Sequence, residues 1–446
     1  MLDSQKLSAS IFALSSLLWS APKSAISQPI LPAADSPETL VNTDGHTTYI
    51  NGGIQVNQNL FHQFDTFNVE SGHTADFVTT NSVQSVIGQV SGGGASYVDG
   101  TLQVSGSDAD LYLINPAGVL FGPDARLNVG GSFTATTADN VGFGENWLSV
   151  GETTDYSDFQ QAPTAYRFTA DRPGAVVNQG ELSVPDHEGI HLVGGAVANT
   201  GELNASAGEI ALTAVPGESL VRLDAKGALL GVEVDVNTVA AFDFSPLALP
   251  ELLTGSPAAI ATDLLVNSDG SVTLSNLEDA GNSGQLFVSG NLDVSGQSGT
   301  QSGGEITLLG SNVDVVGASL SADGAVGGGL IRVGGDYQGK GRGEQQLPTA
   351  ENVFFDAEGS ADGLIDGDGG SIIVWSDGVT QFSGLLSAES AGDGVGGLVE
   401  TSGLGQLVIG NDANVTTNAE NGAVGTWLLD PTDLIIVSSG SSARII

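Results

Sequence analysis

Four glycine pairs, each opening a short apolar burst, constrain this chain more than any other feature. They read GGEITLLG from Gly303, GGLIRVGG from Gly328, GGSIIVWS from Gly369 and GGLVETSG from Gly396. The first and last intervals are nearly equal. The middle one is longer because it holds an insertion, DYQGKGRGEQQLPTAEN, which carries the basic residues Lys340 and Arg342. Second bursts fall between the pairs, as in residues 318–322 and 384–388. Earlier in the chain TLQVSG at Thr101 returns as RLNVGG at Arg126, and NQGEL at Asn178 returns as NTGEL at Asn199. Inside each burst the apolar positions alternate, the period of a strand with one face turned inward. A period in the twenties with short strands is the mark of a solenoid. Helical repeats are excluded, because no unit offers ten glycine-free residues of 3.6-residue periodicity. Propeller blades need about 40 or more residues each. What remains is an all-β fold, a right-handed parallel β-helix. Wound from Gln28 to Ile446 at roughly 22 residues per coil, it would have on the order of 19 coils and a length of about 90 Å. Gly and Asn at the corners are expected to supply positive φ. Residues 240–265, rich in Pro, Leu and Ala, break the pattern and are read as an irregular excursion with one short helix.

Composition supports an elongated fold. Gly numbers 64 residues and aromatics are 6%, too few for several thick cores, while 40% hydrophobic residues are too many for a disordered chain. Acidic residues outnumber basic ones 52 to 11, a net charge of −41. Such a surface repels nucleic acid and anionic lipid, so neither is expected as a partner. The absence of Cys excludes disulfides, thiolate zinc sites and a cysteine nucleophile. Lys6, the apolar run LSASIFALSSLLWSA and the small residues up to Ser27 have the order of a secretory signal. That run is too short to anchor in a bilayer, so export without stable membrane insertion is expected.

Three chemistries compete with a structural role. His187-Glu188-Gly189-Ile190-His191 is a literal H-E-x-x-H, which binds zinc only when a helix sets both imidazoles on one face. Pro185, Gly189, Gly194 and Gly195 oppose a helix there, and Val197 stands where a third His would be needed. Coincidence within a β-coil is the better reading. Asp362, Asp366 and Asp368 resemble a loose calcium loop, yet the tandem repeat of a true one is missing, and solvated corners explain them. A polysaccharide lyase or hydrolase on the same fold is the alternative function. It would need carboxylates beside a Lys or Arg, and only nine basic residues, mostly scattered, follow Ser27. No enzyme activity, cofactor or metal is expected.

Specific segments carry a family likeness. LFHQFDTFNV at residues 60–69, LYLINPAGVLFG at 111–122 and LNVGGSF at 127–133 resemble the amino-terminal secretion domains of filamentous-haemagglutinin-type exoproteins. VPGESLVR at 215–222, GGDYQG at 334–339 and LLDPTD at 428–433 resemble segments of cyanobacterial-type members. Two departures stand out: Asn81 is followed by Ser82 where the family has its first Asn-Pro, and Ala117 stands where the second motif has Asn. The resemblance implies an adhesin-like exoprotein, secreted through the periplasm to the outer surface or medium. Its partner would be a POTRA-containing outer-membrane β-barrel transporter, and its target a cell-surface glycan or protein. It also implies a division into signal peptide (1–27), secretion-domain core (28–150), continuing β-helix (151–290) and glycine-rich repeats (291–446). The chain stops soon after Asp433, at Ile446, as a short member or a piece of a longer gene product would.

The expected recognition motif is the turn Asn115-Pro116-Ala117-Gly118, with Asn115, Pro116 and Gly118 as its determinants. Asn first, Pro second and Gly fourth make a type I turn. The Asn115 side chain can then bond a backbone N–H two residues on, worth about 1 kcal/mol. Ala117 disfavours a type II turn, which would require positive φ at a residue with a Cβ.

Overall fold

Ile306, Ile331, Ile372 and Val399 lie in direct register on four consecutive parallel strands, each fully buried. This stack is part of a longer one in a computed structural model that describes residues 29–34, 38–152, 155–223, 229–234, 263–266, 272–275, 284–340 and 349–430. Leu111, Phe133, Ile190 and Ile210 continue it downward through the same register. The glycine-paired bursts are therefore successive rungs of one face, and the fold is a parallel β-helix. The described residues contain no α-helix, only short 3-10 turns at Tyr156–Asp158 and Tyr337–Gly339.

Two further faces complete each coil. One runs through Ser96–Val98, Val119–Phe121, Ala175–Asn178, Ala196–Asn199 and Gln285–Val288. The other runs through Glu181–Ser183, Glu202–Asn204 and Asn291–Asp293 into later coils. Each inward Leu, Ile, Val or Phe loses nearly all its contact with water, stabilising the rod by about 1.5–3 kcal/mol per side chain. Phe64, Phe67 and Phe77 pack ring against ring in the first coils, with centroids 5.1 Å (Phe64–Phe67) and 5.9 Å (Phe67–Phe77) apart.

Gly106, Gly118, Gly284, Gly334 and Gly392 take the expected positive φ, but the glycine pairs work differently. None of Gly304, Gly329, Gly370 and Gly397 takes a positive φ. They are needed because coils stack there without room for a side chain: a Cβ on Gly329, Gly370 or Gly397 would run into the carbonyl oxygen of Gly304, Gly329 or Gly370 respectively. The Asn corners use hydrogen bonds instead. Asn178 Oδ1 accepts from Gly180 N–H at 3.0 Å, and Asn178 Nδ2 donates to Asn199 Oδ1 one coil on at 2.8 Å. Both side chains are fully buried, so the NQGEL and NTGEL copies are joined rungs of an amide ladder.

The coil count is lower than spacing alone suggests. The face containing Ile306 holds eleven strands among the described residues, from Asn59–Thr66 to Thr426–Leu428. Residues are diverted elsewhere. At the amino end the hairpin Thr39–Asp44 with Thr47–Gly52, and the antiparallel strands Leu31–Pro32 and Ile54–Val56, flank the first coil. Covering an open edge in this way suppresses edge-to-edge pairing. A five-stranded antiparallel sheet of Asn140–Phe143, Asn146–Ser149, Ala165–Phe168, Ser219–Leu223 and Leu229–Val234 lies beside the rod. Ala196–Asn199 pairs directly with Gln285–Val288, and Glu209–Ala214 with Glu305–Leu309, while the described strands Ser219–Leu223 and Leu229–Val234 between them pair in the side sheet. Residues 240–262, with the expected short helix, lie outside the described residues, as does the amino-terminal signal segment.

Candidate functional site

The turn at Asn115 is built as its sequence demands. Gly118 N–H donates to Asn115 O at 3.0 Å and Ala117 N–H to Asn115 Oδ1 at 3.0 Å, closing the turn through both backbone and side chain. Ala117 does not take a positive φ, whereas Gly118 does, at 123°. This is type I geometry with the strain placed on the glycine.

The Asn115 amide does more than cap its own turn. Its Nδ2 donates to Gly94 O at 2.9 Å and to Ser96 Oγ at 3.0 Å, both on the preceding coil. Asn115 N–H donates to Thr136 O on the next coil at 3.0 Å. One residue thus bonds three coils, and it is only 1% exposed. Gly174, from the coil above, rests on the turn so closely that a Cβ there would strike Pro116 O. The turn is an interior corner of the folded rod, not a surface loop.

The strand leading into it, Asp110–Ile114, is buried on both faces. Leu111 and Leu113 point into the rod. Tyr112 and Ile114 point outward into a second core with Phe61, Phe143, Tyr156, Phe159, Tyr166 and Phe168, most of which come from the antiparallel sheet and the segment linking its strands. Asp110 sits at the base of this layer. Its Oδ1 accepts from Ser132 N–H at 2.8 Å, and burial pushes its pKa up to about 6. The side sheet escaped sequence reasoning, although the unbroken apolar run LYLI is what a doubly covered strand looks like.

The H-E-x-x-H residues are separated by the fold. His187 lies in a turn with φ 66°, its Nδ1 3.2 Å from Ala207 O. His191 is on the strand Gly189–Gly194, buried, with Nε2 3.7 Å from Glu209 Oε2. Glu188 accepts from Ser132 Oγ at 2.7 Å. A strand between the two His residues cannot give them the shared helical face that zinc chemistry requires.

A family model described as the TPS secretion domain matches residues 28–274. The chain belongs to the TPS secretion domain family. It is therefore an exoprotein of two-partner secretion. A relative, the heme/hemopexin-binding protein of Haemophilus influenzae, is 29% identical over 171 residues, which is 38% of this chain and 17% of that protein. The match thus spans about a sixth of the relative's length. Among solved structures, the HMW1 secretion domain from Haemophilus influenzae aligns at 22% identity and a TM-score of 0.49, covering 88% of this chain and 97% of that one. A filamentous hemagglutinin secretion domain aligns at 14% identity and a TM-score of 0.38, covering 90% and 100%.

Beyond the matched TPS region the aspartates of the glycine-rich repeats have defined tasks. Asp323 accepts from Asp362 N–H at 2.7 Å and from Ser360 Oγ at 2.9 Å. Asp362 in turn accepts from Glu389 N–H at 2.6 Å and Ser387 Oγ at 2.7 Å. Asp366 and Asp368 accept from Asp393 N–H at 3.1 Å and Val395 N–H at 2.8 Å. These carboxylates are rung-to-rung caps rather than merely solvated corners. Among the described residues no group of three or more His, Asp or Glu is arranged to hold a metal ion.

Proposed function

We propose that this chain crosses the periplasm, passes through a POTRA-containing outer-membrane β-barrel of two-partner secretion, and acts outside the cell as a non-enzymatic adhesin. The family match over residues 28–274 carries the reading. The Asn115-Pro116-Ala117-Gly118 turn adds a mechanism. Because Asn115 is enclosed by three coils in the folded rod, a transporter would meet this segment only while it is extended. Recognition then precedes winding, and the same residues afterwards set the corner of the coil, which joins export to folding at one place. The structural use of the basic residues argues against the lyase or hydrolase alternative. Arg332 is buried against Glu305 and Thr307, Arg126 pairs with Glu181 at 3.3 Å, and Arg167 lies over the Trp147 ring at 3.8 Å. Co-expression with and without a cognate two-partner secretion transporter tests the proposal. Protein in the medium or on the cell surface only when the transporter is present supports it, and equal export without the transporter overturns it.

A further inference from the structure

On one face of the glycine-rich coils, Ser319, Glu358, Leu385 and Asn414 occupy the same register position of four successive strands. Two positions on, a neighbouring column holds Ser321, Ser360, Ser387 and Thr416. The columns differ in what their side chains do. Ser360 and Ser387 are committed to Asp323 and Asp362, and Thr416 Oγ1 donates to Ser387 Oγ at 3.3 Å. In the first column, among the described residues, the side chains of Ser319, Glu358 and Asn414 make no hydrogen bond or ion pair. Between Glu358 and Asn414 stands Leu385, 44% exposed although the alternating pattern calls for a polar residue there. A shallow cavity of about 210 Å³ opens along this column, and neither Lys nor Arg lines it.

We propose that this groove binds a neutral oligosaccharide laid along the rod axis. The inference rests on the exoprotein reading, since it supplies the adhesive contact that reading needs. A sugar ring has an apolar C–H face and a rim of hydroxyls that both donate and accept. Leu385 offers the matching apolar platform, Glu358 an acceptor on one side, and the Asn414 amide a donor and an acceptor on the other. Successive strands are about 4.8 Å apart, so the column presents its groups at a repeat comparable to that of an extended sugar chain. The lack of a lining cation, with Glu358 in the groove, disfavours sialylated or uronic chains.

The test uses the intact exported protein on a panel of neutral glucose, galactose and mannose tetrasaccharides together with sialylated chains. Leu385→Ser, Glu358→Gln and Asn414→Ala replace exposed side chains, so circular dichroism should be unchanged in each. A neutral tetrasaccharide should bind, and Leu385→Ser should weaken it about tenfold, with weakening also in the other two variants. Failure of every neutral chain to bind, preference for sialylated chains, or binding that survives all three substitutions would overturn the groove. Export is measured on the same variants. Transporter-dependent export without sugar binding sinks the groove alone. Groove-dependent sugar binding with transporter-independent export supports the groove and sinks the secretion reading.

Discussion

Asn115 Nδ2 lies 3.0 Å from Ser96 Oγ, so the turn of one coil is fastened to the strand of the coil before it. The isolated turn offered a single side-chain bond; the folded rod gives Asn115 three. Asn115→Ala should therefore cost about 2–4 kcal/mol rather than about 1, because buried partners are left unsatisfied. Ser96→Ala should cost about 1 kcal/mol while leaving the motif intact. Denaturant melts of both purified variants measure this. If the motif is read during export, Asn115→Ala and Pro116→Ala accumulate in the periplasm whereas Ser96→Ala is exported. Equal export of all three would leave the turn purely architectural.

Stacked glycines should be intolerant of even one methyl group. In Gly370→Ala the new Cβ meets Gly329 O, a backbone atom that cannot swing aside, and a loss of about 2–4 kcal/mol is expected. Gly299→Ala has open space around it and should stay within about 0.5 kcal/mol of the parent. Thermal melts that fail to separate the two variants would refute the close-approach explanation of the glycine pairs.

Two buried groups give stability a pH dependence of opposite signs. Burial lowers the His62 pKa from 6.5 to about 4, so between these values the unfolded chain binds a proton that the rod does not. This contribution is full above pH 6.5 and is lost as pH falls to about 4, in total about 3 kcal/mol. Burial raises the Asp110 pKa from 3.8 to about 6, so here the rod binds the proton first. That contribution is full below pH 3.8 and is lost as pH rises through about 6. Stability-versus-pH curves of His62→Gln and Asp110→Asn should depart from the parent in opposite directions across pH 4 to 6. Parallel curves would contradict the assignment.

The rod was legible because its inward positions alternate and its glycine pairs recur at nearly constant spacing. Ile306, Ile331, Ile372 and Val399 could be placed in one stack from those spacings alone. The type I turn at Asn115 was legible because Asn, Pro and Gly each have one physical reason to sit where they do. Its burial was not, since that depends on Gly94, Ser96, Thr136 and Gly174, brought together from other coils. The side sheet was missed for a similar reason. Its central strand Ala165–Phe168 pairs antiparallel with strands distant in sequence, Tyr166 meeting Val141 and Val221, and leaves no local period. The aspartate caps were misread because a carboxylate reaching the next coil's backbone looks, in one sequence, like any exposed acid.

Reading of the turn before the coil closes is tested most directly by competition for the purified periplasmic portion of the transporter. The competitors are a synthetic peptide of residues 111–122, the same peptide with Asn115→Ala and Pro116→Ala, and the folded chain. The parent peptide should bind, and the substituted peptide should bind at least about tenfold more weakly, equivalent to about 1.4 kcal/mol. The folded chain should not compete through this segment. Equal binding by both peptides, or a folded chain that competes as well as the parent peptide and does so through Asn115, would contradict recognition ahead of winding.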